Sequence, residues 1–163
     1  MDDPTFTSPN LLLQRAQIVD IPYIQSIVNA AYSKYIPRMN KFPAPITTDY
    51  QALLKSPNHS IFVLRQTEND VVGALVLYHE ENATEVQIDN VVVDSKAQGQ
   101  GYGRVLMRYA EDFAKHHRCN AVKLYTNVVM VENLGLYVKM GFIETERRTE
   151  DGFERVYFRK ELI

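Results

Sequence analysis

The chain has 163 residues, 45% hydrophobic and 23% charged, which is enough for one domain with a sizeable core and too apolar for a disordered chain. With 18 Lys and Arg against 20 Asp and Glu, the formal net charge of -2 leaves no global basic field to hold nucleic acid. Apolar runs such as residues 71–78 fall far short of the roughly 20 residues of a membrane span, and no charged-then-apolar leader opens the chain, so no membrane is expected and a cytoplasmic location is. The lone Cys119 has no disulfide partner. It is crowded with His116 and His117 at one helix end and matches no closed zinc spacing, so no metal is expected.

Residues 1–10 hold two Asp and two Pro and read as a flexible N-terminal arm ahead of a domain over residues 11–163. A strand is predicted over 11–16. Asp20 then N-caps a helix with Pro22 in its first turn, Ile24, Ile27, Val28 and Ala31 at helical spacing, and an end near residue 35. Pro37, Pro43 and Pro45 predict an irregular loop over 36–46, before Thr48 or Asp49 caps a short helix to residue 54. Residues 61–65, 71–78 and 85–93 read as an antiparallel meander, with a polar turn at 67–70. A helix over 103–117 and a strand over 121–126 imply a parallel, right-handed crossover. A helix over 131–140 is stopped by Gly141, and strands over 142–148 and 153–159 flank Asp151-Gly152, a strong hairpin signal.

The chemistry-bearing stretch is Gln98-Gly99-Gln100-Gly101-Tyr102-Gly103-Arg104, between a strand and a helix. Glycines let the backbone turn tightly, and the N–H groups of a helix N-terminus suit an anion such as a pyrophosphate. A dinucleotide fingerprint would need glycine where Arg104 stands, and a P-loop would end in Gly-Lys-Ser/Thr, which is absent. A plain glycine-rich turn with a helix cap is the other reading of these residues.

What remains, Gln-x-x-Gly-x-Gly directly after Val91-Val92-Val93-Asp94, resembles the signature of the GCN5-related N-acetyltransferase (GNAT) superfamily. Asn133, Tyr137 and Gly141-Phe142 are similar to that family's later motif, although many members carry Asn seven residues before the tyrosine, where this chain has Met130, with Asn127 three residues earlier. The resemblance implies a single-domain α/β (α+β) GNAT fold, with a mixed, mostly antiparallel central sheet flanked by helices and splayed central strands. It implies acetyl-CoA as cosubstrate, its pyrophosphate on the amides of Gln98, Gly99, Gln100, Gly101, Tyr102, Gly103 and Arg104 and its pantetheine arm along Val91 and Val93. In the same way it gives Asn133 a hydrogen bond to that arm and makes Tyr137 the proton donor to the departing thiolate. The residues themselves leave open a core role for Tyr137, which shares a helical face with Leu134 and Val138.

The family reaction is direct attack of a primary amine on the thioester through a tetrahedral intermediate. Glu85, Gln87 and Asp89 alternate on one strand face, and Asp89 is the preferred general base, directly or through water, against a solvent-facing or capping role. A strand bulge there would swap the faces and bring Asn90 forward. Tyr32, Tyr35, Arg38 and Tyr50, with Asp49, fall in the segment that lines the acceptor cleft in this family and suggest a small polar amine, including one with a carboxylate; surface aromatics and solvated charges are the alternative. Arg147, Arg148 and Arg155 add positive charge nearby, and a two-residue hairpin would set Arg148 against Arg155, which needs an anion or carboxylate beside it.

The expectation is an acetyl-CoA-dependent N-acetyltransferase acting on a small-molecule amine, in a family where homodimers are frequent. The alternatives are a protein N-terminal or lysine acetyltransferase, which needs an open cleft, and a non-catalytic acyl-CoA-binding regulatory module.

Overall fold

The computed structural model describes residues 2–67 and 70–163. Among these residues one sheet is built from β1 (Leu12–Arg15), β2 (His59–Arg65), β3 (Val71–Tyr78), β4 (Glu85–Val93), β5 (Ala121–Asn127), β6 (Ile143–Glu150) and β7 (Phe153–Glu161). Their order across the sheet is β1-β2-β3-β4-β5-β7-β6, and every neighbouring pair is antiparallel except the parallel β4 and β5. The helices are α1 (Ile21–Tyr32), α2 (Ile36–Met39), α3 (Ala44–Thr47), α4 (Tyr50–Lys55), α5 (Tyr102–His116) and α6 (Val131–Lys139). This is the mixed α/β arrangement expected. The turn expected at 67–70 lies in part outside the described residues, at 68 and 69. No helix among the described residues is long and apolar enough to cross a membrane.

β3 is apolar on both faces because both are covered. On one side Phe62, Leu75, Leu106, Phe113 and Phe158 form a core beneath α5. On the other, Val63 and Val76 pack with Ile24 and Val28 of α1 and Tyr50 of α4. Gly73 lets α5 approach closely, since a Cβ there would lie 3.1 Å from Leu106 Cδ1 and from the Val92 carbonyl.

Several local expectations are corrected. Asp20 stands at the N-cap of α1 but its side chain does not cap that helix; it accepts from the Gln17 N–H at 2.8 Å and pairs with Arg65 of β2, at 2% exposure. A buried carboxylate needs its charge met, and the neighbouring strand supplies it. The proline-rich stretch forms two single-turn helices, α2 and α3, rather than an irregular loop. Pro37 and Pro45 fall in the first turns, where a missing N–H costs nothing. Residues 2–10 have no regular structure, as the arm reading expects of its conformation, and they touch the domain: Asp3 pairs with Arg15 at 2.6 Å, Tyr109 donates to the Pro4 carbonyl, and Phe6 packs edge-on against the Tyr109 ring.

At the end of α6, Gly141 adopts φ +91, a left-handed conformation that ends the helix. A Cβ there would meet the flexible end of Lys160 at 3.3 Å, so backbone strain is the main cost of a side chain. Gly141→Ala is expected to destabilise the fold by about 1 kcal/mol and to lower the melting temperature by about 2–4 °C in a thermal denaturation followed by circular dichroism.

Candidate active site

The site begins where two strands part. β4 and β5 pair only from Glu85↔Ala121 to Ile88↔Leu124, so residues 89–93 of β4 have no partner on the β5 side. β5 pairs with β7 along its whole length, from Ala121↔Glu161 to Asn127↔Arg155, so beyond Leu124 it has β7 alone, with Tyr125 opposite Tyr157. An unpaired strand edge offers amide donors and acceptors to a ligand that carries amides of its own.

At the same point β4 carries a bulge. Val76 of β3 is paired with Asn90 and Leu77 with Ile88, which leaves Asp89 as the extra residue. The faces exchange across it: Val86 and Ile88 belong to the core under α5, whereas Val92 belongs to the core under α1, and Val91 and Val93 turn towards α5. Simple alternation would alternate Asp89 and Asn90 between faces. The bulge instead brings Gln87, Asp89 and Asn90 into the wall of one cavity.

Asp89 is one-quarter exposed. Its carboxylate accepts from Gln87 Nε2 at 2.6 Å and lies 3.4 Å from His59 Nε2, while His59 Nδ1 is 2.8 Å from Ser56 Oγ. Burial pushes the Asp89 carboxyl above its ordinary value, and the Gln87 and His59 contacts pull it back in part. Asn90 is 8% exposed and fully engaged: it accepts from the Tyr32 hydroxyl at 2.7 Å and donates to the Tyr50 hydroxyl at 3.3 Å, which in turn donates to the Pro45 carbonyl. Burial drives the Tyr32 phenol well above its usual range and the Tyr50 phenol up to about 12, so both remain protonated donors at neutral pH.

A second cavity, which Tyr32 also lines, is bounded by Val91 and Val93 of β4 and by the glycine-rich turn. Gly99 and Gly101 adopt φ +86 and +84, and a Cβ built at either would meet nothing within 4 Å. The turn is therefore set by conformation and open to approach from outside. Gly101 stands at the N-cap of the 15-residue α5, and no side chain caps the first turn, so the leading N–H groups beside Tyr102, Gly103 and Arg104 are available to an anion. Gln98, Gly99, Gly101, Tyr102, Gly103 and Arg104 line this cavity. Gln100 does not; it accepts a hydrogen bond from the Tyr102 hydroxyl at 3.0 Å.

Tyr32, Val91, Asn133 and Tyr137 line both cavities. Asn133 hydrogen-bonds Thr126 Oγ1 at 3.4 Å. The Tyr137 ring packs against Phe142 and Phe158, with centroids 5.9 and 5.7 Å away, and the residue is 9% exposed. The ring is core, and the hydroxyl has no hydrogen-bond partner among the described residues. Burial raises its pKa to about 12.

Two expected acceptor-side residues lie elsewhere. Arg38 lines neither cavity; it pairs with Glu132 of α6 at 2.6 Å and donates to the Val129 carbonyl. Tyr35 lines the turn-side cavity and donates to Glu132 at 3.0 Å. Together they fasten the segment after α1 to α6, and the Arg38 guanidinium holds the Glu132 carboxyl below the usual range. Asp49 caps α4 through the Ala52 N–H. Asn127, the candidate for the missing family asparagine, accepts from the Val129 N–H at 3.0 Å and also lines the Asp89 cavity.

A sequence profile described as the acetyltransferase (GNAT) family matches residues 24–142. The chain belongs to this family. It is similar to human N-acetyltransferase 8B, 29% identical over 90 residues that cover 53% of this chain and 40% of that protein. The chain thus aligns with less than half the length of that relative. The GNAT fold is equally plain in solved structures. The ribosomal-protein-S18-alanine N-acetyltransferase from Escherichia coli superimposes with a TM-score of 0.73 over 93% of both chains at 17% identity. A GNAT family acetyltransferase from Elizabethkingia anophelis with acetyl-CoA bound gives 0.71, covering 95% of this chain and all of the other at 22% identity.

Sequence reasoning missed His59 and Tyr125 of this GNAT chain. His59 opens β2 between two polar residues and shows no periodic signal; it reaches Asp89 only through the β2-β3-β4 pairing. Tyr125 reads as one more strand aromatic, yet it stacks against Arg155 in the cavity wall.

Proposed function

We propose that the protein is an N-acetyltransferase that moves an acetyl group from acetyl-CoA to a primary amine of a small molecule. The observation that carries this is the shared wall: two cavities of about 450 Å³ each, one beside the uncapped glycine-rich turn and one containing a half-buried carboxylate, meet at Tyr32, Val91, Asn133 and Tyr137. An enzyme joining a large anionic donor to a small acceptor needs this layout.

The turn residues 98–104 and the open edge of β4 fit acetyl-CoA, which supplies an acetyl group activated as a thioester. The first amides of α5 hold the pyrophosphate, the edge at Val91 and Val93 pairs with the amide-bearing arm, and Asn133 steadies that arm near its end. Asp89 accepts the proton that the acceptor nitrogen must lose as the C–N bond forms and the C–S bond breaks. Its raised pKa makes it a better base than an exposed aspartate. Tyr137 stays protonated and donates its O–H to the sulfur as charge gathers there. Met39, Ala44 and Pro45 line the acceptor cavity, and its volume of about 450 Å³ suits a small molecule.

Thiol release tests the reading. Purified protein with acetyl-CoA and a panel of primary amines is expected to release one CoA thiol per N-acetylated product detected by mass spectrometry. Tight acetyl-CoA binding with thiol release no faster than spontaneous hydrolysis for every amine would make the protein a binding module instead.

A further inference from the structure

Among the described residues lining the acceptor cavity, Asp89 is the one carboxylate and Arg155 the one permanent cation. Arg155 lies on β7, paired with Asn127 on one side and Arg148 on the other, and its side chain is 12% exposed. Its guanidinium carbon sits 4.4 Å from the Tyr125 ring centroid and 5.4 Å from that of Phe153. Ring contacts hold the group in place without using its N–H donors. Its ionic partner is Glu150 at 3.9 Å, beyond hydrogen-bond reach, and no hydrogen bond from the Arg155 side chain is made to any described residue. The facing Arg148 is served separately, by Glu150 at 2.8 Å and by the Tyr157 ring at 4.2 Å. A guanidinium held in place by two rings, opening on a cavity with its fork of five donors unspent, is ready for a ligand that accepts from it.

We infer that Arg155 is the anchor for a carboxylate on the acceptor, so that the substrate class is an amino carboxylic acid. The ligand's amine is directed to Asp89 and its carboxylate to Arg155. The planar fork matches a carboxylate with two parallel hydrogen bonds. The tyrosines around the cavity offer hydroxyls and ring faces to the rest of the molecule. This inference rests on the acetyltransferase reading and narrows it.

The experiment compares free amino acids (phenylalanine, glutamate and lysine) with their carboxamides and their decarboxylated amines in the thiol-release assay, for the native chain, Arg155→Gln and Arg155→Lys. The native protein is expected to prefer at least one acid over its amide by about 10- to 100-fold in kcat/KM, the range for losing a charge-assisted, bidentate contact. Arg155→Gln should erase that preference by raising KM for the acid while leaving KM for acetyl-CoA within about 2-fold, and Arg155→Lys should restore part of it. Melting temperature and acetyl-CoA affinity report whether the variants are folded. Equal turnover of acids and amides by the native chain, or an unchanged acid KM in folded Arg155→Gln, overturns the carboxylate anchor and leaves the transferase reading standing. Absence of thiol release with every compound overturns both.

Discussion

Tyr137→Phe is expected to lower the turnover of acetyl transfer by about 100-fold, the lower end of what a positioned proton or hydrogen-bond donor contributes. The substitution removes one oxygen and keeps the ring, so the contacts with Phe142 and Phe158 survive. The hydroxyl has no partner among the described residues, so its loss leaves no group of the protein unsatisfied. Stability should therefore change little. The pKa of about 12 means that the side chain is a donor throughout the working pH range, so the defect should not be relieved by lowering the pH to 6. Affinity for acetyl-CoA, measured by calorimetry, should stay within about 3-fold, because the contacts proposed to bind it are those of the turn and strand edge. A variant that turns over at the native rate would remove Tyr137 from the chemistry and leave it as a core aromatic only.

Asp89→Asn is expected to cut kcat/KM by about 100-fold or more through loss of the base. It should also remove a limb of the pH profile. Burial raises the Asp89 pKa, and the base form is the ionised one, so native activity falls as pH drops through that raised value; the variant should lack this fall. The stability effect has the opposite sign. A carboxyl whose folded pKa lies above its unfolded pKa costs stability above the folded pKa, and that cost disappears as pH falls below the unfolded one. Asparagine carries no such cost, so Asp89→Asn should melt no lower than the native chain at pH 7, and the two activities are directly comparable. An intact acid limb in the variant would move the base elsewhere, and His59 is the group the geometry places next in line.

The contrast between β4 and the proline-rich segment shows what the sequence carries. Element order was legible because apolar spacing marks α1, α5 and β3 strongly, and because Asp151 and Gly152 adopt the two positive φ values, 51 and 79, that a two-residue hairpin demands. The glycine-rich turn was legible for a related reason: Gly99 and Gly101 hold conformations that other residues avoid. The short helices α2 and α3 were not, since proline reads as a breaker unless the helix start is already known. The side to which Asp89 points depends on the bulge, and a bulge is a relation between strands: it appears only when Val76 and Leu77 are set opposite Asn90 and Ile88. Arg38 and Arg155 make the same point about charges. Arg38, nearer in sequence to the cavity tyrosines, is taken by Glu132 across 94 residues, whereas Arg155 reaches the cavity because β7 lies beside β5. Local pattern names the parts of the site, and long-range pairing decides which of them face each other.

The seat of transfer is tested most directly by a crystal structure with a bisubstrate conjugate, CoA joined through its sulfur to an amino carboxylic acid by an acetyl linker. The linker is expected between Tyr32, Val91, Asn133 and Tyr137, with the pyrophosphate at residues 98–104 and the acceptor end between Asp89 and Arg155. A conjugate bound with its linker away from Tyr137, or with its acceptor end outside the Asp89 cavity, would contradict the assignment.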